Sequence, residues 1–325
     1  MLSFKQLKNS TMNAIVYQKF GNIDVLQTIE EPKPSIQSNQ VLIKIKAVSI
    51  NPLDWKIRKG EMKLMSGSKF PKHTGVDFAG IIEEIGTSVS SLKKGDEVFG
   101  VVKNNMKEGA LSEYVAVPST LVWKKPIEIT FAQAAAMPTV GAAAVTALQK
   151  MGNIDTQTQI LINGATGGFG MFLLQLLKQS KANIKAVTST KAVDSAKKWG
   201  ADLVIDYTKE NVLTQNETYD IVIDLSGKMG YTNAKKLMKS KALFINPTPK
   251  PIEIPTSLFK NLFTGKKHIV MLSGPSAKNM DILLDAINNG LQIEVSKVFP
   301  FVQTKEAYQY AEKGGIIGKV VIELN

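Results

Sequence analysis

The segment Asn163-Gly164-Ala165-Thr166-Gly167-Gly168-Phe169-Gly170 constrains this chain more than any other. It follows an apolar strand-like run, Ile160–Ile162, and leads into a helical pattern over Phe169–Ser180 with an apolar face. Gly164 can turn tightly without a Cβ. Gly167 and Gly168 let the backbone approach a pyrophosphate, whose charge meets the free amides at the helix start. Gly170 permits close packing between helix and sheet. The order G-x-x-G-G-x-G departs from the common G-x-G-x-x-G, and no G-K-[ST] follows the glycines. The strand–loop–helix setting therefore points to a dinucleotide cradle rather than an ATP-binding P-loop. A glycine-rich α/β loop with no ligand is the plainer alternative.

The surrounding sequence sets the fold class. From Gln159 onward, short apolar strands alternate with amphipathic helices. Strands are expected at Gln159–Asn163, Ile184–Thr188, Leu203–Ile205, Tyr219–Asp224, Ala242–Asn246 and His268–Leu272. Helices are expected at Ala192–Trp199, Tyr231–Leu237 and Asn279–Asn288. That alternation is the sequence form of a doubly wound parallel sheet, the Rossmann arrangement. Before Thr130 the pattern is different, with β-type runs punctuated by Gly and Pro, among them Val41–Val48, Ala79–Ile85 and Glu97–Val101. Many strands with little helix between them predict a curled or barrel-like β domain.

The cofactor type depends on the strand after the cradle. Sites for NAD usually place Asp or Glu about 20 residues beyond the fingerprint, to hold the ribose hydroxyls. Here the strand tip reads Ala186-Val187-Thr188-Ser189-Thr190-Lys191, with no acid. Hydroxyls from Ser189 and Thr190, with the Lys191 charge, suit a 2′-phosphate and hence NADPH. An ordinary N-cap with a solvated lysine, and NAD loosely held, is the alternative.

Composition narrows the chemistry further. The 325 residues suit about two domains, at roughly 150 residues each, and have the apolar and charged fractions of a globular protein. There is no cysteine, which removes disulfides, thiolate nucleophiles and sulfur-bound zinc, and fits a reducing cytosol. His73 and His268 are the only histidines, too few for an imidazole-rich metal site. The formal charge of +12 comes from scattered lysines rather than a basic block, so no specific nucleic-acid or membrane partner is indicated. No apolar run approaches the ~18 residues of a membrane helix. Met1–Thr11 reads as a frayed leader or early start rather than a targeting peptide.

Several ordered patterns resemble the medium-chain dehydrogenase/reductase superfamily, in particular its zinc-independent quinone and enone reductase branch. They include Asn51-Pro52-Leu53-Asp54, Gly75-Val76-Asp77-Phe78-Ala79-Gly80, Gly95-Asp96-Glu97-Val98-Phe99-Gly100, Ala135-Ala136-Met137-Pro138 and Gly318-Lys319. The resemblance covers nearly everything after Met12 and implies a GroES-like β-rich catalytic domain interrupted by the Rossmann domain. The expected parts are 12–130, 131–275 and a return at 276–325. Where the family's zinc enzymes carry a cysteine and a histidine on the catalytic metal, this chain has Asn51 and Val76; His73 lies three residues too early. The short span Asn104–Glu113 stands where a cysteine-rich structural-zinc loop would be.

By the same resemblance, Asn51 lines the substrate pocket, where its amide could donate to a carbonyl oxygen, or else secures its own turn. Thr139 and Val140 face the nicotinamide. Gly167–Phe169 hold the pyrophosphate, and Ser189 with Lys191 the phosphate. Tyr207 packs near the adenosine, Leu225 and Ser226 lie at a strand end where open sheets place ligands, and Lys319 lies near the cofactor cleft. The implied chemistry is hydride transfer from NADPH to a small quinone or conjugated carbonyl, in a homodimer associating at the strand His268–Leu272. Met62, Leu64 and Met65, and Leu258, Phe259, Leu262 and Phe263, are candidate substrate walls. No dedicated proton donor stands out, Tyr114 and Asp77 being more readily structural. A metal-independent carbonyl reductase and a non-catalytic NADPH-binding regulatory or RNA-binding protein are the alternatives.

Replacing Lys191 with Glu is expected to raise KM for NADPH far more than KM for NADH. Steady-state kinetics with both cofactors checks this, and equal effects would reject the 2′-phosphate assignment.

Overall fold

The computed structural model describes residues 11–102, 108–247, 249 and 252–324. The leader, apart from Thr11, and the 104–107 part of the Asn104–Glu113 span lie outside the described residues. The chain divides into two compact units. The first runs up to Thr139 and adds Val295–Gly314 and the segment from Lys319; the second is Val140–Glu294 with Gly315–Gly318.

In chain order the first unit contributes β1 (Thr11–Tyr17), β2 (Gln27–Pro32), β3 (Gln40–Ser49), β4 (Lys72–His73), β5 (Asp77–Ile85), β6 (Glu97–Val101), β7 (Tyr114–Pro118) and β8 (Val122–Lys124). The second contributes β9 (Gln159–Asn163), β10 (Asn183–Thr188), β11 (Leu203–Asp206), β12 (Tyr219–Asp224), β13 (Met238–Asn246) and β14 (Lys266–Val270). Then β15 (Val295–Pro300) and β16 (Lys319–Glu323) return to the first.

The first unit pairs β2-β1-β4 in a small sheet and β15-β16-β3-β5-β6-β8 in a larger one, with β7 added on β3. Gly80 sets how closely the central strands run, since a Cβ there would lie 2.3 Å from the Lys44 carbonyl oxygen of β3. Beside it the β3–β5 register shifts between Ile45 and Ala47, the local irregularity that bends a sheet. Buried apolar side chains from both faces, among them Ile43, Ile45, Phe78 and Phe99, fill the interior.

The unit boundaries fall later than 130 and 275. The helix Phe131–Ala135 packs on β3, β5 and β6, because Ala132, Ala134 and Ala135 let it approach closely. The helix Ala277–Asn288 stays with the second unit. Its Leu283 fills the space where a Gly141 Cβ would sit, 2.4 Å from Cδ2, and Asn279 Nδ2 donates to Thr146 Oγ1 at 3.1 Å. The strand β15 and the helix Thr304–Glu312 were not anticipated. The sequence of β15, Val-Ser-Lys-Val-Phe-Pro, buries only Phe299 and lacks clean alternation.

In the second unit all six strands run parallel in the order β11-β10-β9-β12-β13-β14. Winding reverses between β9 and β12, the kind of point at which open sheets bind ligands at strand C-termini. The three central residues of β9, Ile160–Ile162, are wholly buried, as a strand covered on both faces requires. The helix Gly168–Leu177 buries Met171–Leu174 and Leu177 against the sheet. Among the described residues, no helix is long and apolar enough to cross a membrane.

Candidate functional site

The second unit carries a cradle at the C-terminal ends of its strands. Gly164 adopts φ +79, and a Cβ there would lie 2.9 Å from the Ser226 amide nitrogen. The Gly164 and Ala165 amides donate to the Val187 carbonyl at 3.1 and 3.2 Å, folding the loop back on β10. Thr166 and Thr188 hydroxyls hydrogen-bond at 2.6 Å and lock the same junction. Gly167 caps the helix Gly168–Leu177 and has nothing within 4 Å of its missing Cβ. That open space faces first-turn amides that have no intrahelical acceptor, the setting for an anion. A Cβ on Gly170 would lie 2.1 Å from the Ala165 oxygen, so this glycine closes the helix onto the loop itself, not only onto the sheet.

Around the cradle, Ser189 is half-buried and makes no capping bond, and Lys191 is exposed. Thr190 is differently committed: its hydroxyl donates to Asp206 Oδ2 at 2.6 Å. Asp206 ends the neighbouring strand β11 and was missed in the sequence. The Thr190 hydroxyl, with the Thr208 hydroxyl and amide and the Lys209 charge, holds it down at about 2. Because that carboxylate is engaged by Thr190 and Thr208, it is not an open acceptor for ribose hydroxyls. The Tyr207 amide donates to the Thr188 carbonyl at 3.0 Å, while its side chain is 56% exposed at the strand end. Asp224 organises the β12 tip: Asn163 Nδ2, the Ser226 amide and hydroxyl, and the Met229 amide all donate to it. Leu225 is half-buried and Ser226 exposed there, beside the cradle.

The remaining expected residues gather in the first unit, apart from Val140, which opens the second unit half-buried. Lys319 is 4% exposed and donates to Asn51 Oδ1 at 2.6 Å and to the Ile50 carbonyl at 2.9 Å. The ammonium is thus held inside the first unit. Asn51 is 1% exposed; its Nδ2 donates to Asp77 Oδ2 at 3.0 Å. Thr139 donates to Asp77 twice, from Oγ1 to Oδ1 at 2.5 Å and from its amide to Oδ2 at 3.2 Å. Asp54 Oδ2 accepts from the Asn51 amide at 2.7 Å, whereas buried Asp54 Oδ1 has no partner. Burial raises Asp77 above the usual carboxylate range, against the pull of Lys319 and the Thr139 and Asn51 hydrogen bonds. Burial likewise lowers Lys319, with Asp77 and Asp54 opposing.

No metal fits here. Val76 is buried with Ile57 and Val101, and His73 Nε2 is paired with Glu31 at 2.8 Å. Among the described residues, no three His, Cys, Asp or Glu side chains could hold an ion.

Comparison with known proteins agrees with this construction. Residues 37–127 match the alcohol dehydrogenase GroES-like domain, and 199–322 the model described as zinc-binding dehydrogenase. The 2-methylene-furan-3-one reductase of Solanum lycopersicum is 34% identical over 324 residues, covering 96% of this chain and 79% of that protein. The chain belongs to the zinc-independent quinone and enone oxidoreductase branch of the medium-chain dehydrogenase/reductase superfamily. The chloroplastic NADPH-dependent alkenal/one oxidoreductase of Arabidopsis thaliana is 32% identical, with 96% of this chain and 79% of that protein covered. The solved quinone oxidoreductase of Coxiella burnetii superposes with a TM-score of 0.87 at 28% identity, over 97% of this chain and all of that one. The zinc in the second model's description belongs to the wider family, since among the described residues here no three His, Cys, Asp or Glu side chains could hold an ion.

Burial pushes Asp54 up to about 7, reinforced by Asp77 and opposed by the Asn51 amide, Lys319 and Arg58. A folded-state pKa above the unfolded value of 3.8 means that the folded chain keeps a proton the unfolded chain releases. Stability from this group is present below about pH 4 and is lost as pH rises through about 7. Asp54→Asn keeps an oxygen for the Asn51 amide and removes the titration. Its melting temperature is expected to exceed wild type at pH 8, with the gap closing toward pH 4. Parallel pH–stability curves for the two proteins would reject this.

Proposed function

We propose that the chain is an NADPH-dependent reductase of quinones and of conjugated enals or enones, working without a metal. The observation that carries this is the open cradle at Gly167–Phe169 beside a β10 tip that offers Ser189 and Lys191 and no acid. NADPH, when bound, supplies a hydride. The amides of Gly168 and Phe169 would hold its pyrophosphate, Ser189 and Lys191 its 2′-phosphate, and the exposed side chain of Tyr207 its adenine. In the same reading Thr139 and Val140 would face the nicotinamide, and Leu225 and Ser226 would contact the cofactor from the β12 end.

Conjugated acceptors are already polarised. The protein therefore has to align two reactants and exclude excess water, and does not need a Lewis acid. The relatives support this acceptor class, being a methylene-furanone reductase, an alkenal/one oxidoreductase and a quinone oxidoreductase. A homodimer is part of the proposal. It is supported by β14, which is the last strand of its sheet, and by the exposed Leu258, Leu262, Phe263 and Leu272. So is a cytosolic setting, which suits a cysteine-free chain, although the Arabidopsis relative is chloroplastic.

The test is a matched NADPH and NADH oxidation screen against ortho-quinones, para-quinones, enals, enones and simple aldehydes. Turnover is expected with NADPH and conjugated acceptors. Faster reduction of simple aldehydes would overturn the acceptor assignment. NADPH binding without turnover across the panel would overturn the enzyme assignment.

A further inference from the structure

The side chains joined in the first unit form one unbroken line. Lys319 Nζ donates to Asn51 Oδ1, Asn51 Nδ2 donates to Asp77 Oδ2, and Asp77 Oδ1 is joined to Thr139 Oγ1 at 2.5 Å. Lys319, Asn51 and Asp77 are buried, and Asp77 has no exposed surface at all. Thr139 is half-buried, the one member of the line with appreciable exposure. Asp77 meets three donors, the Asn51 amide group, the Thr139 amide and the Thr139 hydroxyl. Of these only the hydroxyl can both give and take a hydrogen bond. A proton entering or leaving Asp77 therefore has one short route, through Thr139 Oγ1.

We propose that Thr139 and Asp77 are the proton relay of the reduction. Thr139 is the catalytic residue that hands a proton to the reduced acceptor, and Asp77 supplies it. Asn51 and Lys319 are positioning residues that fix Asp77 and stabilise the carboxylate left behind. This rests on the reading that the chain reduces quinones or conjugated carbonyls.

The step balances. Two electrons and one hydrogen reach the acceptor as hydride, leaving a quinol oxyanion or an enolate. The Thr139 Oγ1–H bond breaks as the product O–H or C–H bond forms. In the acid form the hydrogen bond that Thr139 Oγ1 donates to the Asp77 carboxylate is reversed, and the Oδ1–H bond breaks as Oγ1–H reforms. Asp77 ends as a carboxylate, and after product leaves, solvent returns the proton through the same hydroxyl. Asn51 thereby acts through Asp77 rather than by touching the acceptor.

The charged groups facing Asp77 are Lys319 from β16 and Asp54 from the helix Pro52–Arg58; Asp54 in turn faces Arg58, Tyr17 and Tyr308. Burial favours the protonated acid that the relay needs, whereas Lys319 and the hydrogen bonds from Thr139 and Asn51 favour the carboxylate. The acid form consequently persists above the usual carboxylate range, and turnover falls as pH rises through its pKa.

The experiment compares wild type with Thr139→Val, Thr139→Ser and Asp77→Asn. It reads kcat against pH with NADPH and a conjugated acceptor, the solvent deuterium isotope effect, and the infrared band of protonated buried carboxyl in cofactor-free protein. Wild type is expected to lose kcat at high pH and to show a solvent isotope effect, and Thr139→Ser to keep both. Thr139→Val, close to threonine in shape, is expected to lose at least about 100-fold in kcat with little change in acceptor KM. Asp77→Asn is expected to lose the high-pH limb and one infrared band that Asp54→Asn retains.

Wild-type kcat and isotope effect in Thr139→Val would overturn the relay. So would equal losses in the Val and Ser variants with the pH limb intact, the mark of a merely structural role. Absence of an Asp77-dependent acid band at the working pH would overturn it as well. Inactivity of wild type toward every conjugated acceptor would instead sink the enzyme reading, while the infrared measurement still reports on Asp77.

Discussion

The buried ammonium of Lys319 is the group around which the first unit is arranged. A charge taken out of water at this depth is tolerated only when it is paired and fully hydrogen-bonded. The unit meets that demand with the Ile50 carbonyl and Asn51 Oδ1 as direct acceptors, and with the carboxyl groups of Asp77 and Asp54 nearby. The Asn51 amide has to point its oxygen at Lys319, which leaves Nδ2 aimed at Asp77. Asp77, held from that side, can then take both donors of Thr139 at the start of the helix Pro138–Met151. One buried cation thus orients, link by link, a hydroxyl at the edge of the unit.

The same arrangement accounts for how a medium-chain dehydrogenase/reductase dispenses with zinc. Cysteine and histidine at positions 51 and 76 would ask for a metal between them. Asparagine at 51 is turned inward to a lysine and an aspartate, and valine at 76 joins the apolar cluster with Ile57 and Val101. In the second unit the corresponding economy is in backbone: Gly164, Gly167 and Gly170 each omit a Cβ for a different reason. Gly164 needs positive φ, Gly167 leaves open space at a helix start, and Gly170 lies against the Ala165 carbonyl.

What was legible in the sequence follows from how local each requirement is. The cradle and the parallel strands announce themselves within short windows, because glycine geometry and strand burial act over a few residues. The lack of an acid after Thr188 is also local and readable. Lys319 was placed near the cofactor because the Gly-Lys pair carries that association, yet its partner Asn51 lies 268 residues away and only folding joins them. Asp206 was invisible for a related reason: it reaches Thr190 across the β10–β11 pairing. The strand β15 and the helix Thr304–Glu312 escaped notice because both are short and half-exposed.

A double-mutant cycle on Lys319→Met and Asp77→Asn, followed by chemical denaturation, tests most directly whether these residues act as one buried unit. If the line through Asn51 is real, the double variant is less destabilised than the sum of the singles, by on the order of 1–3 kcal/mol. Strict additivity of the two substitutions would contradict it.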